Sequence, residues 1–137
     1  TTKKPSSGFV FRQNKEWGDQ ITTWVLCMSR DEEFNKTTKK PLDYIVFHQA
    51  NKYIISNITR RLKFPLEKVP SKTTGKYGNQ SSASIPCTIC DAINQDVTTK
   101  KVKLVLSGFG VGLSWATCQL ELDKIYCPNV IFYKNEC

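Results

Sequence analysis

The feature that most constrains the fold is a short apolar run, DYIVF at residues 43–47, that leads directly into a helical pattern. A nearly continuous run of this kind is typical of a strand that is buried on both faces of a sheet. Apolar residues then follow at the spacing of one helix face: Ile54, Ile55, Ile58 and Leu62. This helix must end before Pro65, because the residue that precedes a proline is held away from helical angles. The two elements predict a strand–helix unit of an α/β protein.

The second half of the chain carries a further helix and two further strands. Residues 75–84, GKYGNQSSAS, are rich in glycine and small polar residues and predict a loop. SIPCTICDAI then opens a helix, with Ser84 as its N-cap and Pro86 near the first turn. VKLVLSG and LSWATCQLELD predict two strands that GFGVG joins. From residue 42 the predicted order is therefore β-α-α-β-β, a layered α/β arrangement.

The first 41 residues are less clearly patterned. GFVF at 8–11 and ITTWVLCM at 21–28 predict strands, because β-branched and aromatic residues dominate them. A polar loop ends at Pro41. We therefore divide the chain into a segment of strands and loops without a clear overall pattern, residues 1–41, and a domain, residues 42–137.

Charge and hydropathy narrow the classes of partner. Twenty lysines and arginines against twelve acidic residues give a net charge of +8, which favours anionic partners. Nucleic acid is not expected, since the aromatic residues are not interleaved with the basic ones in a recognisable motif. No apolar run approaches the length of a membrane span, and TTKKPSSG at the amino terminus lacks the apolar core of a signal peptide.

The six cysteines lie mostly inside apolar segments, where a free cysteine behaves as a small hydrophobe. We therefore expect reduced thiols and a cytoplasmic protein. The alternative is a secreted, disulfide-bonded cationic protein, which titration of free thiols would decide. Cys87 and Cys90 do not predict zinc, because neither a second CxxC nor a pair of histidines is present. Two cysteines on one helix face are expected instead.

His48 is the only histidine of the chain and directly follows the first buried strand. Open α/β sheets keep their active sites at the carboxyl ends of strands, so a catalytic role is one interpretation. A core or capping histidine is the other. The glycines of GFGVG do not predict a nucleotide site, because Leu113 stands where the third glycine of that motif would be. A tight turn that needs positive φ accounts for these glycines instead.

Three ordered motifs carry a specific resemblance: HQANKYII, KYGNQSSASIP and SGFGVGLSWA. In this order and spacing, over about residues 42–125, the chain resembles the carboxyl-terminal half of a β-ketoacyl-acyl-carrier-protein synthase III, a condensing enzyme of the thiolase fold. EEFN resembles the start of a helix that precedes the histidine-bearing strand in that family. The rest of that helix is missing before Leu42, through a true deletion or a stretch absent from the sequence.

The resemblance implies site residues. His48 and Asn79 correspond to the pair that donates hydrogen bonds to the thioester carbonyl of a malonyl extender unit. The backbone N–H of Val111 corresponds to one half of an oxyanion hole. Gly110 and Gly112 would let the backbone approach a substrate closely.

The resemblance also implies partners. Asn51 corresponds to a contact with the pantetheine arm, although an N-cap role is equally attractive. The basic residues near the first helix correspond to a docking surface for an acidic acyl-carrier protein, or else to a solvated helix face: Lys52, Arg60, Arg61 and Lys63. No cofactor is implied beyond the acyl-CoA or acyl-carrier-protein substrates.

The family's nucleophilic cysteine belongs to an amino-terminal half, and none of the six cysteines here has its sequence context. We therefore expect the chain alone to be inactive, and to associate with such a half of the same enzyme or with a partner chain, as a homodimer when complete. The alternative is a non-catalytic remnant or binding subunit that keeps the fold.

Overall fold

The computed structural model describes residues 10–13, 41–110 and 114–133. The strand predicted over 21–28 lies outside these residues, as do Cys27 and Cys137. Across the described part, no helix is both long and apolar enough to cross a membrane.

The helices and strands of the described residues confirm most of the predicted order. They are β1 (Val10–Gln13), β2 (Tyr44–Phe47), α1 (Lys52–Leu62), α2 (Thr73–Tyr77), α3 (Ser84–Ala92), α4 (Asn94–Thr99), β3 (Lys101–Gly110) and β4 (Ser114–Asp123). Single 3-10 turns lie at Leu66–Lys68 and Ser81–Ala83. The short helices α2 and α4 are additions to the predicted order. The loop prediction for 75–84 is wrong at its start, because residues 75–77 complete α2.

The four strands form one mixed sheet in the order β1-β4-β3-β2. β2 and β3 run parallel, with Tyr44 opposite Leu104 and Phe47 opposite Ser107, while the other two pairings are antiparallel. Parallel strands end at the same edge of a sheet, so the residues that follow β2 lie beside the end of β3. The first three residues of the turn predicted for GFGVG, 108–110, belong to β3 instead and pair with β4.

Helices cover both faces of this sheet, which confirms the prediction of a strand buried on both faces. On one face Ile45 and Phe47 of β2 pack in a cluster with the apolar side of α1. On the other face Val46 packs with Val97 of α4. Ile45, Val46 and Phe47 are fully buried. The result is a helix–sheet–helix arrangement with one apolar cluster on each side.

Helix α1 forms as its local sequence predicts. The Asn51 side-chain oxygen accepts a hydrogen bond from the Tyr53 backbone N–H at 2.7 Å, which caps the first turn. Ile55, Ile58 and Leu62 are buried, and full burial of one such side chain contributes about 2 kcal/mol. The helix ends where Lys63 adopts a left-handed conformation with φ of 53°, so the predicted end before Pro65 is confirmed.

Helix α3 begins differently from the prediction. Ser84 is its first residue, and Ala83 occupies the N-cap position without a capping side chain. The N-cap prediction for Ser84 is wrong because the Ser84 hydroxyl contacts residues of the loop after β2 instead. Pro86 lies in the first turn as expected, where the missing N–H costs no intrahelical hydrogen bond.

A polar contact fastens helix α4 to the sheet. The Tyr44 hydroxyl donates a hydrogen bond of 2.5 Å to Asp96 Oδ2. Burial, together with this hydrogen bond and the nearby carboxylate charge, raises the pKa of Tyr44 to about 12. The phenol therefore stays protonated and remains a donor throughout the neutral range.

Candidate active site

A cavity of about 750 Å³ lies at the edge of the sheet where β2 and β3 end. Its lining combines residues from all three motifs that carry the resemblance: His48, Ala50, Asn79, Ser81, Ser82, Ser84, Ile85, Gly108, Phe109 and Gly110. Segments that are far apart in the sequence therefore meet in one pocket. His48, Asn79 and Gly110, three of the predicted site residues, are brought together here.

His48 is fixed on three sides. Its backbone N–H donates to the Ser107 carbonyl at 2.9 Å, which extends the β2–β3 pairing by one residue. Its ring nitrogen Nδ1 lies 2.5 Å from Ser84 Oγ. The ring meets the edge of Phe109 with 5.4 Å between the centroids and 85° between the planes, a favourable geometry for two aromatic rings.

The electrostatic surroundings favour a neutral His48. Burial lowers the pKa of the imidazole below its ordinary value, and a hydrogen bond with the backbone of Ser81 partly opposes that shift. A neutral ring carries one N–H donor and one acceptor nitrogen. The neutral ring therefore places no charge in the pocket, and a ligand would compete with the Ser81 backbone for its single N–H.

Asn79 presents its amide to the same cavity. Its Oδ1 accepts a hydrogen bond of 2.9 Å from the Ser81 backbone N–H. Because a backbone N–H can only donate, the atom that faces it must be the oxygen, which fixes the orientation of the amide. The Asn79 NH₂ group has no hydrogen-bond partner among the described residues and remains available as a donor.

Gln49 belongs to the HQAN loop but does not line the cavity, and the sequence does not single it out. It is fully buried. Its Nε2 donates to the carbonyls of Phe47 at 2.9 Å and Pro70 at 3.1 Å, and Thr74 Oγ1 donates to the Gln49 carbonyl at 3.1 Å. These contacts fasten the HQAN loop to the first turn of α2 and to the chain before it. The available signal was the position of Gln49 inside the motif that carries the resemblance.

The third motif is described only in part. Gly110 lines the cavity, and a Cβ placed there would meet no atom within 4 Å. The glycine thus opens onto free space, whereas Gly108 faces Ile85 Cδ1 at 3.9 Å. Val111 and Gly112 lie outside the described residues, so the oxyanion hole remains a prediction.

Asn51 and the basic residues lie around α1 rather than on the cavity lining. Asn51 is the N-cap of α1, which confirms that interpretation, while its contact with pantetheine remains a prediction. The four basic positions are exposed on α1 or at its end: Lys52, Arg60, Arg61 and Lys63. Ala50, which lines the cavity, precedes the first of them by two residues.

None of the four described cysteines lines the cavity, and all four are free thiols. Cys87 and Cys90 both lie on α3, as predicted. Burial raises the pKa of Cys118. Burial first, and then a contact of 3.7 Å with Cys90 Sγ, raises the pKa of Cys127 to about 11. These shifts oppose thiolate formation, whereas a nucleophilic cysteine needs a lowered pKa.

No zinc site is found within the described ranges, where no three potential ligands among histidine, cysteine, aspartate and glutamate cluster.

A family model for the carboxyl-terminal domain of 3-oxoacyl-[acyl-carrier-protein] synthase III matches residues 33–122. The chain belongs to this family. Over 90 residues it is 42% identical to the β-ketoacyl-[acyl-carrier-protein] synthase III of Prochlorococcus marinus strain MIT 9301, covering 64% of this chain and 27% of that one.

Solved structures of 3-oxoacyl-(acyl-carrier-protein) synthases share the fold. A 3-oxoacyl-(acyl-carrier-protein) synthase from Burkholderia xenovorans LB400 superposes with a TM-score of 0.63 and 28% identity, over 82% of this chain and 34% of that one. A synthase III from Pseudomonas aeruginosa PAO1 superposes with a TM-score of 0.60 and 22% identity, over 92% of this chain and 48% of that one. The predicted thiolase-like α/β class and the resemblance to synthase III are thus confirmed. The chain spans well under two thirds of the length of these relatives.

Proposed function

We propose that this chain forms the carboxyl-terminal part of a 3-oxoacyl-acyl-carrier-protein synthase III, and that its cavity promotes decarboxylation of a malonyl thioester. The observation that carries the proposal is the meeting of His48 and Asn79 in one cavity, each able to present a neutral N–H donor. Two neutral donors suit an oxygen that gains negative charge during a reaction.

The reaction needs such an oxygen. When the bond between the malonyl Cα and its carboxylate breaks, CO₂ leaves and the electron pair remains on the thioester as an enolate. His48 and Asn79 donate to the enolate oxygen. The enolate carbon then attacks an acyl group held as a thioester on a cysteine, the carbon–sulfur bond breaks, and the cysteine leaves as thiolate. The sequence resemblance suggests Val111 N–H as a donor to the oxygen of that second step.

The attacking cysteine comes from an amino-terminal half, supplied by the same polypeptide or by a partner chain. The raised pKa values of Cys118 and Cys127, and their position away from the cavity, favour this source over the described cysteines. The substrates are an acyl-CoA or acyl-carrier protein and malonyl-acyl-carrier protein, in cytoplasmic fatty-acid or related lipid synthesis, and no cofactor is needed. The complete enzyme is a homodimer.

The test uses the complete enzyme, with this chain joined to its amino-terminal half. His48→Ala should lower malonyl decarboxylation by about 10²–10³-fold, the usual cost of removing one such donor, while radiolabelled acyl transfer to the cysteine persists. Gln95→Ala, at an exposed position on α4, is the matched control and should retain both activities. Loss of acyl loading in His48→Ala would show that the division of roles is wrong.

The wild-type complete enzyme also decides the alternative interpretation. A non-catalytic binding subunit would give no ketoacyl product even with a competent amino-terminal half. Product formation removes that alternative.

We propose further that the basic residues of α1 receive the acidic acyl-carrier protein. Charge complementarity of this kind acts chiefly on the rate of association. Replacing Arg60 and Arg61 by glutamate should raise KM for malonyl-acyl-carrier protein and leave kcat nearly unchanged. Lys124→Glu is the matched control, because Lys124 follows β4 at the end of the sheet opposite the cavity. An equal rise of KM in both variants would refute a local docking surface.

A further inference from the structure

The Ser84 hydroxyl occupies an unusual position between two residues of the HQAN loop. Its oxygen lies 2.5 Å from His48 Nδ1 and accepts a hydrogen bond of 3.2 Å from the Gln49 backbone N–H. Ser84 is fully buried. Its helix therefore begins with a polar side chain that serves the neighbouring loop and not its own first turn.

The donor of the contact with His48 follows from the inventory of protons. A serine hydroxyl has one proton to donate and two lone pairs that accept. The Gln49 N–H can only donate, so it takes one lone pair. Within the described residues, His48 Nδ1 is then the partner left for the hydroxyl proton. If Nδ1 carried a proton itself, the buried hydroxyl proton would lose its acceptor, at a cost of about 1–3 kcal/mol.

We propose that Ser84 is a positioning residue that holds neutral His48 in the tautomer protonated at Nε2. Nδ1 then accepts from Ser84, and the only N–H of the ring is the one on the opposite nitrogen. The catalytic value of this arrangement rests on the proposed function, which needs a neutral donor in the cavity. The tautomer itself does not depend on that function.

The surroundings of Ser84 and His48 hold the backbone of each residue in place. Thr88 Oγ1 donates to the Ser84 carbonyl at 2.7 Å, one turn along α3. The His48 backbone is fixed by its hydrogen bond to Ser107, and its ring by the edge of Phe109. Both partners of the Ser84–His48 contact are therefore anchored by elements other than each other, so the hydrogen bond selects a tautomer and does not merely follow a mobile ring.

The test exploits the single histidine of the chain. With ¹⁵N-labelled imidazole and an affinity tag free of histidine, every ring signal in an NMR spectrum of the 137-residue chain comes from His48. The two nitrogens are distinguished by their shifts and their couplings to the ring protons. The expected result for the wild type at neutral pH is a protonated Nε2 and an unprotonated Nδ1.

Three variants give the dependence on Ser84. Ser84→Ala should change the ratio of the tautomers by about tenfold, which is the contribution of one ordinary hydrogen bond to an equilibrium. Ser84→Thr keeps the hydroxyl and should restore the wild-type ratio. Ser82→Ala, in which a cavity-lining serine without a contact to His48 is replaced, should leave the ratio unchanged.

A proton on Nδ1 in the wild type would overturn the proposal, whatever the variants do. It would also be overturned by a Ser84→Ala chain that keeps its circular dichroism spectrum and the wild-type tautomer ratio. The wild-type spectrum is decisive by itself, so the proposal can be refuted even if Ser84→Ala does not fold.

Kinetics separate this inference from the proposed function. In the complete enzyme, Ser84→Ala should lower kcat for malonyl decarboxylation by about tenfold, with little change of KM and with recovery in Ser84→Thr. A wild-type enzyme that shows the expected tautomer but no decarboxylation would refute the function alone. An enzyme that decarboxylates normally with Ser84→Ala would refute the positioning role alone.

Discussion

The helices α1 and α3 both start beside the HQAN loop, but the polar side chain at each start has a different kind of hydrogen-bond partner. Asn51 caps α1 by accepting from Tyr53, two residues away. Ser84, at the start of α3, instead contacts His48, which is 36 residues away in the sequence. The first hydrogen bond stabilises a helix and the second shapes a cavity. A polar residue at a helix start therefore indicates a cap only when no distant partner competes for its side chain.

The HQAN loop contains the same contrast within four residues. Gln49 reaches Pro70 and is contacted by Thr74, whereas Asn51 serves the helix that follows it. Since long-range contacts connect separate elements, their removal should cost more than the loss of a local cap. The comparison can be tested by substitutions at each position.

Gln49→Ala should have the largest effect. It leaves the carbonyls of Phe47 and Pro70 without their donor and empties a fully buried site. We expect the free energy of unfolding to fall by about 3 kcal/mol, measured by urea denaturation. Gln95→Ala, at an exposed position on α4, is the control and should change stability by less than about 0.5 kcal/mol. If Gln49→Ala lowered the free energy of unfolding no more than the control does, the expected difference between long-range contacts and a local cap would be refuted.

Asn51→Ala should have a smaller effect, because only the first turn of α1 loses a partner. The expected loss is about 1 kcal/mol in the same denaturation experiment. Asn51→Ser keeps a capping oxygen and should recover most of it. In both variants the NMR signals of the His48 ring should report the same tautomer as in the wild type. A different tautomer would mean that the cap at Asn51 is coupled to the long-range contacts of the HQAN loop.

The pH dependence of stability should show the smallest effect. Burial lowers the pKa of His48 in the folded state below the ordinary value of 6.5. Above pH 6.5 the imidazole is neutral in both the folded and the unfolded state, so stability does not change with pH through this group. As the pH falls through 6.5, the unfolded chain binds a proton that the folded chain does not, and stability decreases until the pH passes the lowered pKa.

The loss should stay below that of Asn51→Ala, because the half-buried ring of His48 is screened by water. The measurement is the urea midpoint between pH 7.5 and about pH 5.5, a range that brackets the ordinary histidine pKa. His48→Gln should abolish the slope in this range. A wild-type midpoint that increases as the pH falls would mean that the sign of the shift is wrong.

The elements with local signals are those that the sequence predicts well. The strand at 43–47 and helix α1 carry their own patterns of apolar residues, and Pro65 limits the helix. The short helices α2 and α4 lack a sustained apolar stripe, and they form because the sheet and α3 provide surfaces against which they pack. Short elements of this kind depend on tertiary contacts more than on propensity.

The site shows the same division. The family motifs suffice to place His48 and Asn79 together, and both residues do line the same cavity. The roles of Gln49 and Ser84 require the distances between segments that the sequence does not specify. A serine before a proline-containing helix predicts an N-cap locally, and only the folded position of His48 shows where its hydroxyl points.

The parallel pairing of β2 with β3 has a consequence for the order of events during synthesis. Tyr44 pairs with Leu104, 60 residues later, so the first strand of the pair leaves the ribosome long before its neighbour exists. Contacts of such long sequence separation form slowly, because a large loop must close before they stabilise the chain. Until β3 is synthesised, β2 and the His48 that follows it have no parallel partner strand. Nascent chains that are released early would therefore expose an apolar strand that chaperones recognise.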